Sequence, residues 1–211
     1  IEGLYEDQKQ GEKVKVTCTK SNEGFATAGG VQYVACAGNF KDAGLEYTGA
    51  LKVLQMIFSY EYLWIQIRVK GGAYGCMCSF SDQGDSMFVT YRDPNLSESY
   101  KVYDEAADYV ADFDADDRDM KKYIIGTIGS MDMPMEAVDM GARSFHAYFL
   151  GKTEADLQKV RDQVLSCTQE DIRALAPIVK AVVEAGNRCC IGNEEKIDQN
   201  KEYFDEVKHV L

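Results

Sequence analysis

The stretch IRVKGGAYGCMCSF, which runs from Ile67 to Phe80, joins the end of a predicted helix to the start of a predicted strand. Upstream of it, apolar residues between Leu45 and Phe58 recur at helical spacing, and the helical pattern continues to the paired glycines. Downstream, an alternating run, a turn that contains Gly84 and a second alternating run predict a β-hairpin. A helix that ends beside an antiparallel hairpin is typical of an α+β fold.

The segments that precede this stretch alternate less clearly. Val31–Gly38 is predicted to be a strand, whereas residues 21–30, SNEGFATAGG, are predicted to be a loop. We expect residues 1–211 to form a single domain that is the C-terminal part of a longer protein. Residues 1–20 are then a linker or, at Val14–Lys20, an edge strand that follows upstream sequence.

The chain becomes helical after the hairpin. Three predicted helix starts carry the spacing of a capping box, namely Asn95 with Glu98, Thr153 with Asp156, and Thr168 with Asp171. Residues 137–150 are predicted to be a helix, residues 187–193 a buried strand, and residues 201–211, KEYFDEVKHVL, a polar terminal helix.

This order of elements predicts a two-layer α+β sandwich. Its sheet is mostly antiparallel, and helices cover one face of it. The other face must meet solvent or a partner. The strand around Cys189 follows a long helical region, so it must return to the sheet from far along the chain.

The net charge of the chain limits the kinds of partner that it can bind. With 23 Lys+Arg and 35 Asp+Glu the formal net charge is −12, which argues against nucleic acid as a partner because phosphates need cations. The same charge is compatible with basic peptides, or with solubility alone. No apolar run approaches the ~20 residues that cross a bilayer, so no membrane partner is expected.

Cysteines and histidines give no complete metal motif. Seven cysteines without framework spacing indicate reduced, buried thiols in an intracellular protein. Cys76 and Cys78 share one face of a strand, but no second Cys or His pair stands near them in the sequence. His146 is expected at the core or its boundary and His209 in solvent. No metal ligands are therefore predicted in this chain.

Arg68, Gly71, Gly72 and Tyr74 are the candidate site. Paired glycines permit backbone angles that a Cβ forbids, and they keep side chains away from an approaching chain. Arg68 offers a permanent charge with a rigid fork of donors, and Tyr74 offers a neutral hydroxyl donor. Donors of this kind can bind a carbonyl oxygen and stabilise an oxyanion. A purely structural turn explains the same residues.

Five blocks in order carry a resemblance to a known family. They are IRVKGGAYG, FVTYRDPNL, YIIGTI, TQEDIR and GNEEKI. Together they resemble the C-terminal part of the presequence protease/falcilysin branch of the pitrilysin-like zinc metallopeptidases. The resemblance runs from about Ser21 to about Val207.

The resemblance implies an enzyme built as two halves of a clamshell that encloses unstructured, often basic peptides. Zinc and the general base lie in the N-terminal half, so the zinc-binding half is an expected partner and this chain alone is expected to be inactive. Arg68 is implied to hold a substrate carbonyl, and Tyr74 to hydrogen-bond the oxyanion beside the metal. Gly71 and Gly72 are implied to admit the peptide backbone.

Two alternatives stay open at this point, a non-catalytic pitrilysin-like scaffold and a peptide-binding subunit. The resemblance and the reduced thiols imply the bacterial cytoplasm, the mitochondrial matrix or a plastid as the compartment.

Overall fold

One six-stranded sheet organises the protein, whose computed structural model describes residues 19–210. The strands are β1 (Glu23–Thr27), β2 (Tyr33–Asn39), β3 (Gly75–Phe80), β4 (Asp85–Tyr91), β5 (Asn187–Asn193) and β6 (Glu206–His209). Their order across the sheet is β3-β4-β2-β5-β1-β6. The pairs β3–β4, β4–β2 and β2–β5 are antiparallel, whereas β5–β1 and β1–β6 are parallel. The predicted mostly antiparallel sheet and the late returning strand are confirmed.

The helices of the described residues form a layer on one face of this sheet, except for the fifth, which buries none of its residues. They are α1 (Ala50–Tyr60), α2 (Ser97–Asp104), α3 (Ala106–Ala111), α4 (Asp117–Met131), α5 (Ala137–Phe149), α6 (Glu154–Leu165), α7 (Gln169–Arg173), α8 (Ala176–Glu184) and α9 (Glu194–Gln199). None of the helices within residues 19–210 has the length and the apolar character that a membrane span requires.

The core lies between the sheet and these helices. Alternate residues of the strands, such as Val34 on β2 and Phe88 on β4, are fully buried there. Two buried tyrosines also hold α2 to the sheet, because the Tyr103 hydroxyl donates to the Val34 carbonyl and the Tyr100 hydroxyl to the Cys189 carbonyl, both at 3.1 Å. The predicted two-layer α+β sandwich is therefore confirmed.

The predicted loop at residues 21–30 is wrong, because it contains β1. Gly24 lies on the inward face of β1, where an added Cβ would come within 3.0 Å of Ile197 and Phe204. A strand whose inward positions are Gly24 and Ala26 shows little apolar alternation, so its place is set by pairing with β5 and β6. Most of the predicted strand Val14–Lys20 lies outside the described residues, and residues 19 and 20 are not in a strand.

The predicted terminal helix at residues 201–211 is also wrong. A single 3₁₀ turn, Lys201–Tyr203, leads into β6, which pairs in parallel with β1. The backbone N–H groups of Asp205 and Glu206 both donate to the carbonyl of Asn22, and this pairing begins the strand. The edge of β1 that does not face β5 presents backbone N–H and C=O groups, and pairing with them holds this segment extended. Residue 211 lies outside the described residues.

Two of the three predicted capping boxes form. Thr153 caps α6 and Thr168 caps α7, each with the aspartate three residues later bonding back to the threonine N–H. The predicted cap at Asn95 is wrong, because α2 begins after Leu96 without a side-chain cap. The Asn95 side chain has another partner, described below.

Candidate functional site

A π-helical segment, Trp64–Lys70, carries Arg68 at the end of the helical region that begins with α1. The wider turn shows in its hydrogen bonds, since the Gly71 N–H donates to the Gln66 carbonyl at 3.0 Å, five residues back. Single π turns are rare in proteins, and those that do occur are often found at functional sites. The segment ends at the paired glycines, as the sequence predicts.

The two glycines are required for different reasons. Gly72 has φ +81°, a left-handed backbone conformation that residues other than glycine rarely adopt. Gly71 has an ordinary φ of −79°, but a Cβ there would lie 2.5 Å from the Ile67 carbonyl oxygen. Together they turn the chain sharply from the π-helical segment into β3, and Tyr74 directly precedes that strand.

Asn95 fixes this bend from the other side. Its Nδ2 donates to the Gly71 carbonyl at 2.6 Å. Asp93 in turn orients the Asn95 segment, because its Oδ1 accepts from the Asn95 N–H at 2.9 Å and its Oδ2 accepts from the Ser99 hydroxyl at 2.6 Å. Burial raises the pKa of the Asp93 carboxyl, although these hydrogen bonds oppose the shift. Sequence reasoning missed this network, and we see no signal in the sequence that joins Asn95 to Gly71.

Arg68 and Tyr74 lie side by side at the surface. The Arg68 guanidinium carbon is 4.1 Å from the ring centroid of Trp64 and 5.7 Å from that of Tyr74. Tyr74 is 66% exposed. Stacking on exposed aromatic rings of this kind is worth about 0.5–1 kcal/mol and restricts the guanidinium to one region. Trp64 was missed, although its position four residues before Arg68 places both side chains on one helix face.

The polar ends of this pair have no partner in the described part of the protein. Within residues 19–210, no carboxylate forms an ion pair with Arg68, and the Tyr74 hydroxyl makes no hydrogen bond. A guanidinium and a phenol left free at the surface can donate to the oxygens of a ligand.

An aromatic strip continues from Tyr74 across the open face of the sheet. The Tyr74 ring packs edge-on against Tyr91 at 5.9 Å between centroids, and Tyr91 packs in the same way against Tyr33 at 5.5 Å. Met77, Met87 and Ile191 are exposed on the same sheet. Exposed apolar residues grouped in this way are typical of binding surfaces.

Nothing within residues 19–210 offers a metal centre, since no group of three or more His, Cys, Asp or Glu side chains converges there. Burial raises the pKa of Cys76 to about 11 and raises that of Cys78 further, so both thiols are protonated and pack as apolar groups at neutral pH. The expectation for His146 is wrong: it is exposed, because α5 buries none of its residues. His209 is exposed, as expected, and its Nδ1 lies 3.3 Å from Glu194.

One known protein family matches most of the chain. The model of the PreP C-terminal domain family matches residues 22–193. Protein HypA of Clostridium perfringens (strain 13 / Type A) is 43% identical over 192 residues, which are 91% of this chain and 20% of that protein. Presequence protease 1, chloroplastic/mitochondrial, of Arabidopsis thaliana is 34% identical over 194 residues, 90% of this chain and 18% of that protein. The chain thus spans about a fifth of the length of these curated relatives.

Solved structures share the fold at low identity. The peptidase M16 inactive domain from Pseudomonas fluorescens superimposes with a TM-score of 0.60 at 17% identity, covering 82% of this chain and 44% of that one. Pitrilysin superimposes with a TM-score of 0.52 at 12% identity, covering 83% of this chain and 20% of that one. These likenesses concern the fold alone.

Proposed function

The chain belongs to the PreP C-terminal domain family, and from this premise we propose that it is the substrate-binding C-terminal part of a zinc-dependent peptidase. That enzyme degrades unstructured oligopeptides in a closed chamber, and residues 1–211 form one of its domains. The names of curated relatives, which include presequence proteases of plants and fungi, support a peptidase as the parent.

The observation that carries the proposal is the unpaired Arg68 beside the unpaired Tyr74. Trp64 covers one face of the guanidinium, which leaves the N–H edge for a substrate carbonyl. Tyr74 then donates its hydroxyl proton to the oxyanion that forms when that peptide bond is attacked. The bend at Gly71 and Gly72 leaves no side chain between these donors and a peptide backbone.

Zinc does not fit the described residues of this chain, because no group of ligands converges among them. We place zinc and the general base in an N-terminal half of the parent enzyme, which is the partner of this domain. Because a shared site depends on the proximity of both halves, the chain alone is expected to be inactive.

Peptide substrates are the ligands that this surface favours. The aromatic strip from Tyr74 to Tyr33 offers apolar contacts to an extended chain, and the net charge of −12 attracts basic peptides. The six cysteines of the described residues are free, which supports a reducing compartment. We place the parent enzyme in the cytoplasm of a bacterium, or in the mitochondrial matrix or a plastid of a eukaryote.

The test is turnover of an unstructured peptide by the parent polypeptide that contains this domain. We expect Tyr74→Phe to lower kcat by about tenfold to a thousandfold with little change in KM, because the hydroxyl acts on the oxyanion and not on the bound peptide. Arg68→Met should raise KM as well, since it removes a contact to the substrate carbonyl.

Tyr60→Phe is the matched control, because Tyr60 is an exposed tyrosine at the end of α1. It should leave both constants unchanged. Wild-type turnover by the Tyr74→Phe enzyme would contradict the catalytic role and favour a scaffold or a peptide-binding subunit.

A further inference from the structure

A cavity of about 620 Å³ lies at the far end of the hairpin from Tyr74. The turn between β3 and β4 forms one wall, and the start of α1 forms another. The end of α4 and the first turns of α6 complete it. Its volume falls within the range of about 300–1,000 Å³ that is usual for small-molecule sites. Since β3 separates it from Arg68 and Tyr74, it is a second site and does not depend on the proposed function.

Cations dominate the lining of this cavity. Lys52, Arg143 and Lys152 line it, and Asp82 is its one lining carboxylate, so the net charge of the lining is 3 − 1 = +2. Asp82 is already paired with Lys152. Among residues 19–210, Lys52 and Arg143 form no ion pair with a carboxylate. The rest of the chain is strongly acidic, which makes this local excess of positive charge distinctive.

The three cations are close enough to interact. Burial lowers the pKa of the Lys52 amine; Asp82 opposes this effect, while Lys152 and Arg143 lower the pKa further by repulsion. Among residues 19–210, the one hydrogen bond that the Arg143 side chain makes is from its Nη1 to the Met135 sulfur, at 3.9 Å. An anion placed among these groups would relieve their mutual repulsion and reduce the local excess of positive charge.

Apart from Ser81 and Ser130, the remaining wall of the cavity is mostly apolar. Its apolar part is formed by Tyr47, Phe80, Met131, Met133, Met135, Leu157 and Val160. Methionine side chains are flexible and polarisable, so a surface with three of them adapts to ligands of different shape. Because this wall adjoins the three cations, the ligand that fits must have an apolar body as well as a negative charge.

We propose that this cavity binds an organic carboxylate, in which one carboxylate group is attached to an apolar body. The Arg143 fork and the Lys52 amine hold the carboxylate, and the methionine and aromatic wall holds the apolar body. Two sources supply this chemistry, the C-terminal residue of a peptide with an apolar side chain and a short fatty acid.

Isothermal titration calorimetry of the 211-residue chain tests the proposal with three probes. They are an N-acetylated tripeptide that ends in leucine, the same tripeptide with a C-terminal amide, and octanoate. We expect the free acid to bind at least about tenfold more tightly than the amide, because the amide has no charge for the cations. Tighter binding of octanoate than of the acid would identify the fatty acid as the source.

Variants at the cations give the second arm. Lys52→Met and Arg143→Met keep the length of the apolar stem and should each weaken binding of the acid by roughly tenfold. Lys180→Met is the control, because Lys180 is an exposed lysine on α8 that lies outside the cavity and pairs with Glu184. It should bind like wild type.

NMR on the wild-type chain keeps the test independent of how the variants fold. A saturating concentration of the tripeptide with the free carboxylate should shift the amide signals around residues 47–52, 80–82 and 131–135. It should leave the signals of β5 and α9 unchanged. Equal affinity for acid and amide would overturn the proposal, as would shifts confined to other parts of the chain.

Discussion

Gly72 belongs to the candidate site and Gly75 follows it by three residues in β3, yet of these two only Gly72 requires glycine. Gly72 has φ +81°, and the nearest atom to an added Cβ would be Pro94 at an ordinary 3.6 Å. The cost of Gly72→Ala is therefore backbone strain alone. We expect it to lower the free energy of unfolding by about 1 kcal/mol, measured by urea denaturation.

Gly75→Ala is the matched control for this prediction. Gly75 has no positive φ, and an added Cβ would lie 3.8 Å from the Tyr91 Cβ. Alanine there should leave stability unchanged or raise it by up to about 1 kcal/mol, because it restricts the unfolded chain. If both alanines destabilised the protein equally, the strain at Gly72 would not be the cause.

At this scale the sequence predicts the donors of the candidate site but not their support. Arg68, Gly71, Gly72 and Tyr74 lie within seven residues, so a local pattern shows them together. Asn95 bonds to Gly71 across 24 residues, and only the fold brings the two together. The local spacing of Asn95 and Glu98 favours a helix cap, but the longer-range hydrogen bond is the one that forms.

The helices and strands differ in how well the periodicity of apolar residues in the sequence predicts them. α1 and α8 are predictable because their buried residues recur at helical spacing. β1 is not, because its inward residues are Gly24 and Ala26 and its pairing partners come from the far end of the chain. For α5 the periodicity predicts the helix correctly but not its burial, since no residue of α5 is buried.

In the capping box of α6, the pKa of the Asp156 carboxylate depends on the hydroxyl of Thr153. Asp156 Oδ2 accepts from the Thr153 hydroxyl at 2.7 Å and from the Thr153 N–H at 2.8 Å. These bonds hold the pKa of Asp156 below its ordinary value. A carboxylate with a depressed folded pKa contributes stability above its unfolded pKa, and this contribution is lost as the pH falls through the folded pKa.

Thr153→Val removes the hydroxyl and keeps the shape of the side chain. We expect the pKa of Asp156 to rise toward its ordinary value, measured by NMR titration of the carboxyl carbon, and the loss of stability that this carboxylate causes on acidification to become smaller. The pKa of Asp132, which the Arg161 side chain holds low, is the internal control and should not change. An Asp156 titration that is identical in both proteins would contradict the role of the hydroxyl.

Both ends of the described chain meet in the sheet. β1 lies between β5 and β6, so the first strand depends on two strands that lie more than 160 residues later in the sequence. The segment that leads into β6 adds aromatic contacts: the Tyr203 ring lies 4.9 Å from the Tyr100 ring, and the Arg188 guanidinium lies 5.1 Å from the Tyr203 ring. The sequence predicts that β5 returns to the sheet but not that β1 lies between β5 and β6, because pairing across such a distance leaves no local pattern.

Removing residues 201–211 tests whether β6 completes the fold. We expect the free energy of unfolding to fall by at least about 2 kcal/mol, since the truncation exposes the ring contact of Tyr100 and the packing of Phe204 on β1. β1 then becomes an edge strand with unpaired backbone groups, so sedimentation velocity should show self-association that grows with concentration. Phe204→Ala in the full chain keeps the β6 backbone, and it should lose part of the stability and stay monomeric. A truncated chain as stable and as monomeric as the full chain would show that β6 is dispensable.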